Sequence, residues 1–242
     1  MRPVILWFRR DLRLADNPAL MAALKTGAPI VPLYVLDQGP ELRAPGAASL
    51  WWLDKSLASL SQALEARGTR LVLRRGPASD VVLDLAREID ASAVYLNALF
   101  DPGAADRDAA LAARLADAGA ESHRYNGGHL VRPDAVKTQA GGLYSVFTPF
   151  WRAARAQVPD APPAPAPDHI PPPASWPVSE ALPDWGLHPS HPDWSGGFSD
   201  WSPGEAGAAE RLAEFVDGPL ATYGDDRDRP AVERVPLSVG HG

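Results

Sequence analysis

Three arginines near the start of the chain form the densest group of side chains that could do chemistry. Arg9, Arg10 and Arg13 surround Asp11 in the stretch that follows the first apolar run. Guanidinium groups bind phosphates and carboxylates through paired, charge-assisted hydrogen bonds. The group therefore has two interpretations. It is an anion-binding site, or it is an internal tie in which Asp11 pairs with one or two of the arginines and fixes the loop.

A second group of polar side chains consists of Asp37, Asn97 and Asp101, each of which follows a short apolar run. If these runs are parallel strands, their carboxyl ends share one edge of a sheet, where such proteins place their ligand crevice. The sequence contains neither a G-x-G-x-x-G loop nor a G-x-x-x-x-G-K loop. A standard dinucleotide site or P-loop is therefore not expected at this crevice.

The remaining reactive residue types predict no catalytic residue and no metal ligand. The sequence contains no cysteine, which excludes disulfides, thiolate metal sites and a cysteine nucleophile. It contains no H-E-x-x-H motif and no G-x-S-x-G elbow. His188 and His191 lie three positions apart in a proline-rich stretch, where this spacing does not indicate a metal site.

Short apolar runs alternate with helical patterns along the first half of the chain. The runs predict strands buried on both faces at 4–8, 30–36, 70–73 and 93–96, and a weaker strand at 122–125. Leucines spaced three and four apart predict a long helix over 47–67, and further helices are predicted at 19–24, 77–88 and 105–118. This alternation predicts an α/β fold with a doubly wound, Rossmann-like sheet of about five parallel strands.

Charge and proline divide the chain into two parts. Residues 1–157 carry 19 Lys and Arg against 16 Asp and Glu, whereas 158–242 carry 4 against 14, so the net charges are +3 and −10. Thirteen of the 26 prolines lie in 158–203, which favours polyproline II over a core. We expect an α/β domain over 1–157 and a linker over 158–203. The residues expected to fasten this linker to the domain surface are Trp176, Trp185, Trp194 and Trp201.

The overall composition is that of an ordinary globular chain, with 45% hydrophobic and 22% charged residues. No apolar run approaches the length that crosses a bilayer, and the first residues lack the pattern of a signal peptide. We therefore expect a cytoplasmic protein that has no membrane partner.

Four segments, in order along the chain, resemble the DNA photolyase/cryptochrome family. They are residues 7–20 (WFRRDLRLADNPAL), 51–57 (WWLDKSL), 144–151 (YSVFTPFW) and 201–205 (WSPGE), with scattered matches as far as Pro230. The resemblance implies an N-terminal α/β domain that often holds a light-harvesting antenna pigment, a surface linker, and a C-terminal helical domain that holds FAD and the DNA lesion. It also implies that the complete protein is a carbon-carbon lyase. Such a deoxyribodipyrimidine photolyase repairs pyrimidine dimers in a light-driven reaction that depends on FAD.

The sequence departs from the family after Pro230. Relatives continue with a Gly-Thr-Ser-x-Leu-Ser loop that binds the FAD phosphates, whereas residues 231–242 read AVERVPLSVGHG. Tyr223 is the one residue here that matches a residue in contact with FAD in relatives. We therefore expect 204–242 to be the start of a truncated FAD-binding domain that does not retain FAD. On this expectation the chain alone is inactive.

The antenna-pigment site also departs from relatives. Leu50 and Leu99 stand where deazaflavin-binding relatives carry Arg and Asp, and residues 103–104 (GA) stand where folate-binding relatives carry an Asn-Glu pair. The alternative function is a non-catalytic pigment- or nucleotide-binding module, or a fragment of a cryptochrome-like blue-light receptor. The residues that remain to hold a flavin-like or other pigment, of unknown identity, are Asp37, Asn97 and Asp101.

A final helix is predicted over 205–222. Ala208, Leu212 and Phe215 share one face of it, and in relatives this face belongs to the helical domain. Left exposed, it is expected to bind a missing C-terminal half or to associate with itself. The net charge of −7 opposes binding of DNA by this chain alone. Damaged DNA is therefore expected as a partner of the complete family member.

Overall fold

Five parallel strands form the centre of the molecule. The computed structural model describes residues 1–39, 45–101 and 103–229. The strands are β1 (Val4–Phe8), β2 (Ile30–Asp37), β3 (Val72–Gly76), β4 (Ala93–Asn97) and β5 (Glu121–Tyr125). They are hydrogen-bonded in the order β3-β2-β1-β4-β5, and every pair is parallel. The predicted doubly wound, five-stranded α/β fold is therefore confirmed.

Helices cover both faces of this sheet. They are α1 (Pro18–Lys25), α2 (Ala47–Glu65), α3 (Ala78–Glu88) and α4 (Ala104–Asp117). Apolar residues of α1 and α2 pack on one face, and those of α3 and α4 pack on the other. Helix α1 begins as its sequence predicts, because the Asn17 side chain accepts a hydrogen bond from the backbone N–H of Leu20 and Pro18 fills the first position.

Strands β1 and β4 are buried along their whole length, whereas β3 differs from its prediction. All five residues of β1 and of β4 are buried. The pattern predicts a strand at 70–73, but β3 begins at Val72 and continues to Gly76. Arg74 and Arg75, expected in a loop, stay in the strand because they pair with Val35 and Leu36 of β2. Pairing with a neighbouring strand thus outweighs the polar character of these two residues.

The Pro-rich segment (158–203) runs along the domain. Its backbone forms hydrogen bonds with the domain at several points along its length. They include Asp16 N to Ala164 O (2.8 Å), Ile170 N to Arg67 O (3.0 Å), Ile30 N to Pro171 O (2.8 Å) and Glu180 N to Leu73 O (2.8 Å). The side chain of Ile170 is completely buried in the core beside α1 and α2. The segment is therefore part of the packed structure.

Three of the four tryptophans predicted to fasten the segment contact the domain. The ring contacts are Trp176 on the guanidinium of Arg70 (4.7 Å), Trp185 with Tyr34 (6.2 Å) and Trp201 with Trp52 (5.8 Å). Trp194 packs instead on Phe198 of the same segment, with ring centroids 5.9 Å apart. The predicted role of the indoles is confirmed for Trp176, Trp185 and Trp201.

Three further helices follow the sheet in the described part of the chain. They are α5 (Phe147–Arg155), α6 (Glu205–Asp217) and α7 (Tyr223–Asp226). The prediction of one helix over 205–222 is wrong. Gly218 leaves the helical conformation, with φ −145° and ψ −74°, and Pro219 disfavours that conformation at the residue before it. Residues 230–242, on which the predicted loss of the family pattern depends, lie outside the described residues.

We expect acid to loosen the Pro-rich segment around Glu180. This carboxylate accepts hydrogen bonds from Trp185 Nε1 (2.8 Å), Arg75 N (3.1 Å) and Arg75 Nε (2.5 Å). Partial burial acts to raise the pKa of Glu180, but these bonds outweigh it and hold the pKa below its ordinary value. The stabilisation is therefore complete above the ordinary pKa of a glutamate and is lost as the pH falls through the lowered pKa.

Near-ultraviolet circular dichroism of the tryptophans, followed from neutral pH down to about pH 3, measures this loosening. We expect Glu180→Gln to give at neutral pH the signal that the wild type reaches in acid, with little further change around the pKa of Glu180. Identical titration curves for the two proteins would contradict a role for this carboxylate.

Candidate functional site

The side chain of Arg9 bridges the end of β1 to β4 and α4. Its Nη1 lies 2.8 Å from Asp108 Oδ1 and its Nη2 lies 3.2 Å from Asp108 Oδ2, and Nη2 also donates to the carbonyl of Asn97. Both side chains of this ion pair are more than nine-tenths buried. Asp11 bonds instead to the backbone N–H of Arg9 (2.9 Å) and to Asn97 (2.6 Å). Arg9 therefore forms an ion pair inside the protein, but its partner is the carboxylate of Asp108 and not that of Asp11.

Asn97 lies buried beneath the same turn. Its Nδ2 donates to Asp11 Oδ2 (2.6 Å) and Asn17 Oδ1 (2.8 Å), and its Oδ1 accepts from the N–H of Ala19 (3.3 Å). The backbone at Gly127 is so close that a Cβ there would lie 2.4 Å from Asn97 Cγ. Asn97 therefore holds the turn and the start of α1. It is not among the residues that line the cavity described below.

Arg13 and Arg10 have separate partners. Arg13 Nη2 donates to the carbonyl oxygens of Asp16 (2.8 Å) and Gly127 (2.6 Å). Arg10 Nη1 lies 3.0 Å from Asp101 Oδ1, in a pair that is exposed to solvent. Because each of the three arginines is held in a different place, their guanidinium groups do not converge on one anion.

A cavity of about 640 Å³ lies beyond the carboxyl ends of β1 and β2. This is the sheet edge at which doubly wound proteins bind ligands. Three aromatic side chains line it, Trp7, Tyr34 and Trp185, together with the leucines Leu36, Leu50, Leu53, Leu99 and Leu187. The polar side chains that line it are Arg9, Arg10, Asp37, Gln38, Asp101 and Arg107.

Asp37 and Asp101, both predicted for the crevice, line this cavity. Asp37 Oδ1 accepts hydrogen bonds from the N–H groups of Ala78 (3.1 Å) and Gly39 (3.0 Å). Ala78 is the first residue of α3, so the carboxylate of Asp37 lies at the positive end of that helix. The structure thus brings two of the three predicted crevice residues to one cavity and places Asn97 below it.

Tyr34 gives the cavity a neutral aromatic surface. Burial raises the pKa of Tyr34 to about 12, and the nearby carboxylate of Asp37 adds to the effect. The phenol therefore stays protonated at neutral pH. The guanidinium of Arg9 lies over the ring of Trp7, 4.9 Å from its centroid. Its buried Nε has no hydrogen-bond partner among the described residues.

Tyr34, Arg107 and Trp185 are cavity residues that the sequence did not identify. Tyr34 lies inside a predicted strand and Arg107 inside a predicted helix, where a local pattern gives no sign of a ligand site. Trp185 stands out as an anchor of the Pro-rich segment, but its sequence does not reveal which edge of the sheet it reaches. Within the described part of the chain, no carboxylate lies at ion-pair distance from Arg107.

Tyr223, predicted by resemblance to contact FAD, does not line this cavity. It remains 36% exposed, and its ring packs edge-on against Phe215 with centroids 5.4 Å apart. Leu212 and Leu220 are about half exposed on the same stretch of chain. A dinucleotide site encloses most of its ligand. The described surroundings of Tyr223 do not fit FAD, because they provide one open side of such a site.

The described residues contain no candidate metal centre and no candidate membrane span. No group of three or more His, Asp or Glu among them could hold a metal ion. No helix in that part of the chain is long and apolar enough to span a membrane. The two linker histidines have separate partners, since His188 lies 3.4 Å from Asp193 and His191 lies 3.1 Å from Ser190.

Comparisons with known proteins give one consistent result. A family model described as DNA photolyase matches residues 4–168. The chain is 44% identical over 244 residues to a deoxyribodipyrimidine photo-lyase of Agrobacterium fabrum. This match covers 99% of this chain and 50% of that relative. An uncharacterized 31.6 kDa protein of Synechococcus is 37% identical over 230 residues, which cover 93% of this chain and 79% of that protein.

A solved structure extends this likeness to the fold. The crystal structure of a bacterial class III photolyase from Agrobacterium tumefaciens is 43% identical and superposes with a TM-score of 0.91. The superposition covers 97% of this chain and 48% of the other. The chain thus spans about half the length of the two photolyases that it resembles here.

We expect Asp108→Ala to destabilise the fold strongly. It removes the carboxylate but leaves the guanidinium of Arg9 buried, and an uncompensated buried charge costs about 3–5 kcal/mol. Urea unfolding gives the change in the free energy of unfolding. Asp106→Ala is the control, because Asp106 is exposed on the same helix and its loss should change that free energy by less than about 0.5 kcal/mol. Equal effects of the two substitutions would contradict the importance of the buried pair.

Proposed function

Because this chain belongs to the DNA photolyase family, we propose that it is the pigment-binding α/β half of a photolyase-type flavoprotein. In this proposal residues 1–157 form the domain, 158–203 form the linker and 204–242 begin a helical domain. Light absorbed by a pigment here serves the repair of pyrimidine dimers by the complete assembly. The observation that carries the proposal is the cavity at the carboxyl edge of the sheet.

The cavity suits a planar aromatic pigment. Its volume of about 640 Å³ falls within the usual size of small-molecule sites, about 300–1,000 Å³. Trp7, Tyr34 and Trp185 offer flat surfaces on which a conjugated ring can stack. These features favour a conjugated heterocycle over a flexible aliphatic ligand.

The polar side chains of the cavity indicate how such a pigment is oriented. Asp37 uses Oδ1 to accept two backbone hydrogen bonds, which leaves Oδ2 to accept from an N–H group of a ring. Arg107 has no described ion-pair partner and is therefore available to an anionic tail. We infer that the pigment carries a hydrogen-bonding ring edge directed to Asp37 and a negative group directed to Arg107.

FAD and the damaged DNA belong, in this proposal, to the helical half of the assembly. Reduced FAD, when bound there, supplies the light-driven electron that splits a pyrimidine dimer. Tyr223 and the half-exposed Leu212 and Leu220 form one side of the surface that meets that half. The net charge of −10 over 158–242 disfavours phosphate contacts by this part of the chain. The phosphates of the DNA are therefore assigned to the rest of the assembly.

A stand-alone, non-catalytic module is the second candidate function. The observation in its favour is the Synechococcus relative of 31.6 kDa, of which this chain covers 79%. A relative of comparable length indicates that a domain of this kind also occurs in proteins about half as long as the photolyases. In such a module the cavity binds its pigment, and the exposed face of α6 binds another copy or a different protein. Both candidate functions place a pigment in the cavity, but only the photolyase half takes part in dimer repair.

We expect FMN to bind more tightly than riboflavin, because only FMN carries a phosphate for Arg107. Charge-assisted hydrogen bonds to one guanidinium favour FMN by about tenfold. Equilibrium dialysis with the two flavins measures the ratio of their dissociation constants. Arg107→Ala should bring this ratio close to one while leaving riboflavin binding almost unchanged.

Arg114→Ala is the matched control for that experiment. Arg114 lies on the same helix but pairs with Asp80 at 2.8 Å and does not line the cavity. Its loss should leave the ratio of FMN to riboflavin affinity unchanged. Failure of both flavins to bind the wild type would count against a flavin-type pigment at this cavity. An equal drop in both variants would count against the assignment of Arg107.

We expect no light-dependent cleavage of thymine dimers by this chain with added FAD. The physical reason is that the described surroundings of Tyr223 leave an FAD ring open to solvent. Chromatographic analysis of irradiated dimer-containing oligonucleotides measures the reaction. The Agrobacterium photolyase serves as the positive control. Cleavage by this chain alone would show that a complete FAD site exists and would overturn the assignment of FAD to a separate half.

A further inference from the structure

The cavity is built by two parts of the chain that lie far apart in sequence. The sheet and α2 contribute Tyr34, Asp37 and Leu50, whereas the Pro-rich segment contributes Trp185 and Leu187. Both residues of the segment are more than nine-tenths buried, with 8% and 7% of their surface exposed. A ligand in the cavity would therefore contact the domain and the linker at the same time.

The polar contacts that hold Trp185 in place are modest. Its ring centroid lies 6.2 Å from that of Tyr34, and its Nε1 donates to Glu180 Oε2 at 2.8 Å. Glu180 is held in turn by Arg75, and the two side chains of that ion pair are 31% and 40% exposed. An ion pair so open to solvent contributes little to stability. The linker side of the cavity therefore has no strong polar anchor of its own.

Helix α2 connects this cavity to the later part of the Pro-rich segment. Leu50 lines the cavity. The next residue, Trp51, stacks on Phe198 with ring centroids 4.9 Å apart. Trp52 packs edge-on against Trp201 at 5.8 Å. One helix thus contacts the cavity and holds the stretch of linker that follows Trp185.

The start of α6 is fastened to the turn beside the cavity. Glu205 accepts hydrogen bonds from the N–H groups of Leu14 (2.7 Å) and Ala15 (2.8 Å). Arg10, in the same turn, lines the cavity. The stretch from Leu182 to Glu205 is therefore attached at the cavity, along α2 and at this turn.

We propose that ligand occupancy of the cavity is coupled to docking of the linker between 182 and 205, and that Trp185 carries the coupling as a ligand-contacting residue. The inference rests on the proposed pigment site and adds its regulation. A planar ligand stacked on Trp185 binds the docked linker to the domain, and the docked linker fixes the position of α6. Pigment binding thereby prepares the surface that meets the rest of the assembly.

Thermodynamic linkage gives the size of the effect. A ligand that binds only the docked form lowers the undocked population by the factor 1 + [L]/Kd. At a free ligand concentration about 100 times Kd, proteolysis that passes through the undocked form slows about a hundredfold. The coupling is reciprocal, so a substitution that loosens Trp185 weakens ligand binding.

FMN is the probe for the test, and the full chain is used. Subtilisin cleavage between 182 and 205 is followed by mass spectrometry with and without saturating FMN, and dialysis gives the FMN Kd. In the wild type we expect FMN to slow this cleavage at least about tenfold. Trp185→Ala should weaken FMN binding about tenfold and lose most of the protection from cleavage. Trp185→Phe keeps an aromatic ring and should therefore keep most of the FMN affinity and most of the protection.

Trp176→Ala is the matched control variant. Trp176 is another indole of the same segment, but it stacks on Arg70 at 4.7 Å and does not line the cavity. Its loss should leave FMN affinity and FMN protection within about twofold of the wild type. This control separates a general loosening of the segment from the loss of a wall of the cavity.

Each result has a distinct meaning. FMN binding without slower cleavage, or unchanged affinity in Trp185→Ala, overturns the coupling and leaves the pigment site standing. No FMN binding to the wild type overturns the FMN site and the coupling with it. Equal losses in Trp185→Ala and Trp176→Ala overturn the assignment of the coupling to Trp185.

Discussion

The buried ion pair between Arg9 and Asp108 fixes one wall of the cavity at the sheet edge. In the strand order β3-β2-β1-β4-β5, the chain reverses side at β1 and β4, and a crevice normally opens beyond their carboxyl ends. Arg9 reaches across this point to Asp108 and to the carbonyl of Asn97. A buried ion pair thus lies beside the crevice. The cavity begins at this pair, since Arg9 lines it, and extends toward β2, α2 and the Pro-rich segment.

The polar network around this ion pair also fixes the first turn of the chain. Buried ion pairs often contribute little net stability, so the main effect of this pair is positional. The Nδ2 of Asn97 donates hydrogen bonds to Asp11 and Asn17, and its Oδ1 accepts one from the N–H of Ala19. A buried hydrogen-bond network of this kind holds one backbone conformation. That conformation presents the N–H groups to which Glu205 binds.

Three of the four segments that carry the family resemblance meet in space. Residues 7–20 contain the turn that binds Glu205, residues 51–57 supply the indoles that pack on Phe198 and Trp201, and residues 201–205 supply Trp201 and Glu205. The matched residues thus include those that dock the linker and the start of α6 on the domain. This explains in physical terms why the end of the long, proline-rich connection lies against the domain. It also places the cavity next to the segment that leads from the domain into α6.

The sequence alone determined the α/β class, the approximate positions of the five strands and four helices, and the location of Asp37 and Asp101 at one sheet edge. These features follow from local hydrophobic periodicity and from the rule that parallel strands end at a common edge. It did not determine the partner of Arg9. Asp11 is two positions away and Asp108 is 99 positions away, and no local pattern distinguishes Asp108 from the exposed Asp106.

Only the tertiary structure decided that Asp108 is the partner of Arg9, that Asn97 is buried and that Trp185 lies in the cavity wall. It also showed that Arg74 and Arg75 belong to β3, because a neighbouring strand pairs with them. The physical reason is common to all four. Each depends on which surfaces the packed chain removes from water and brings together, and that choice is made between residues far apart in the sequence.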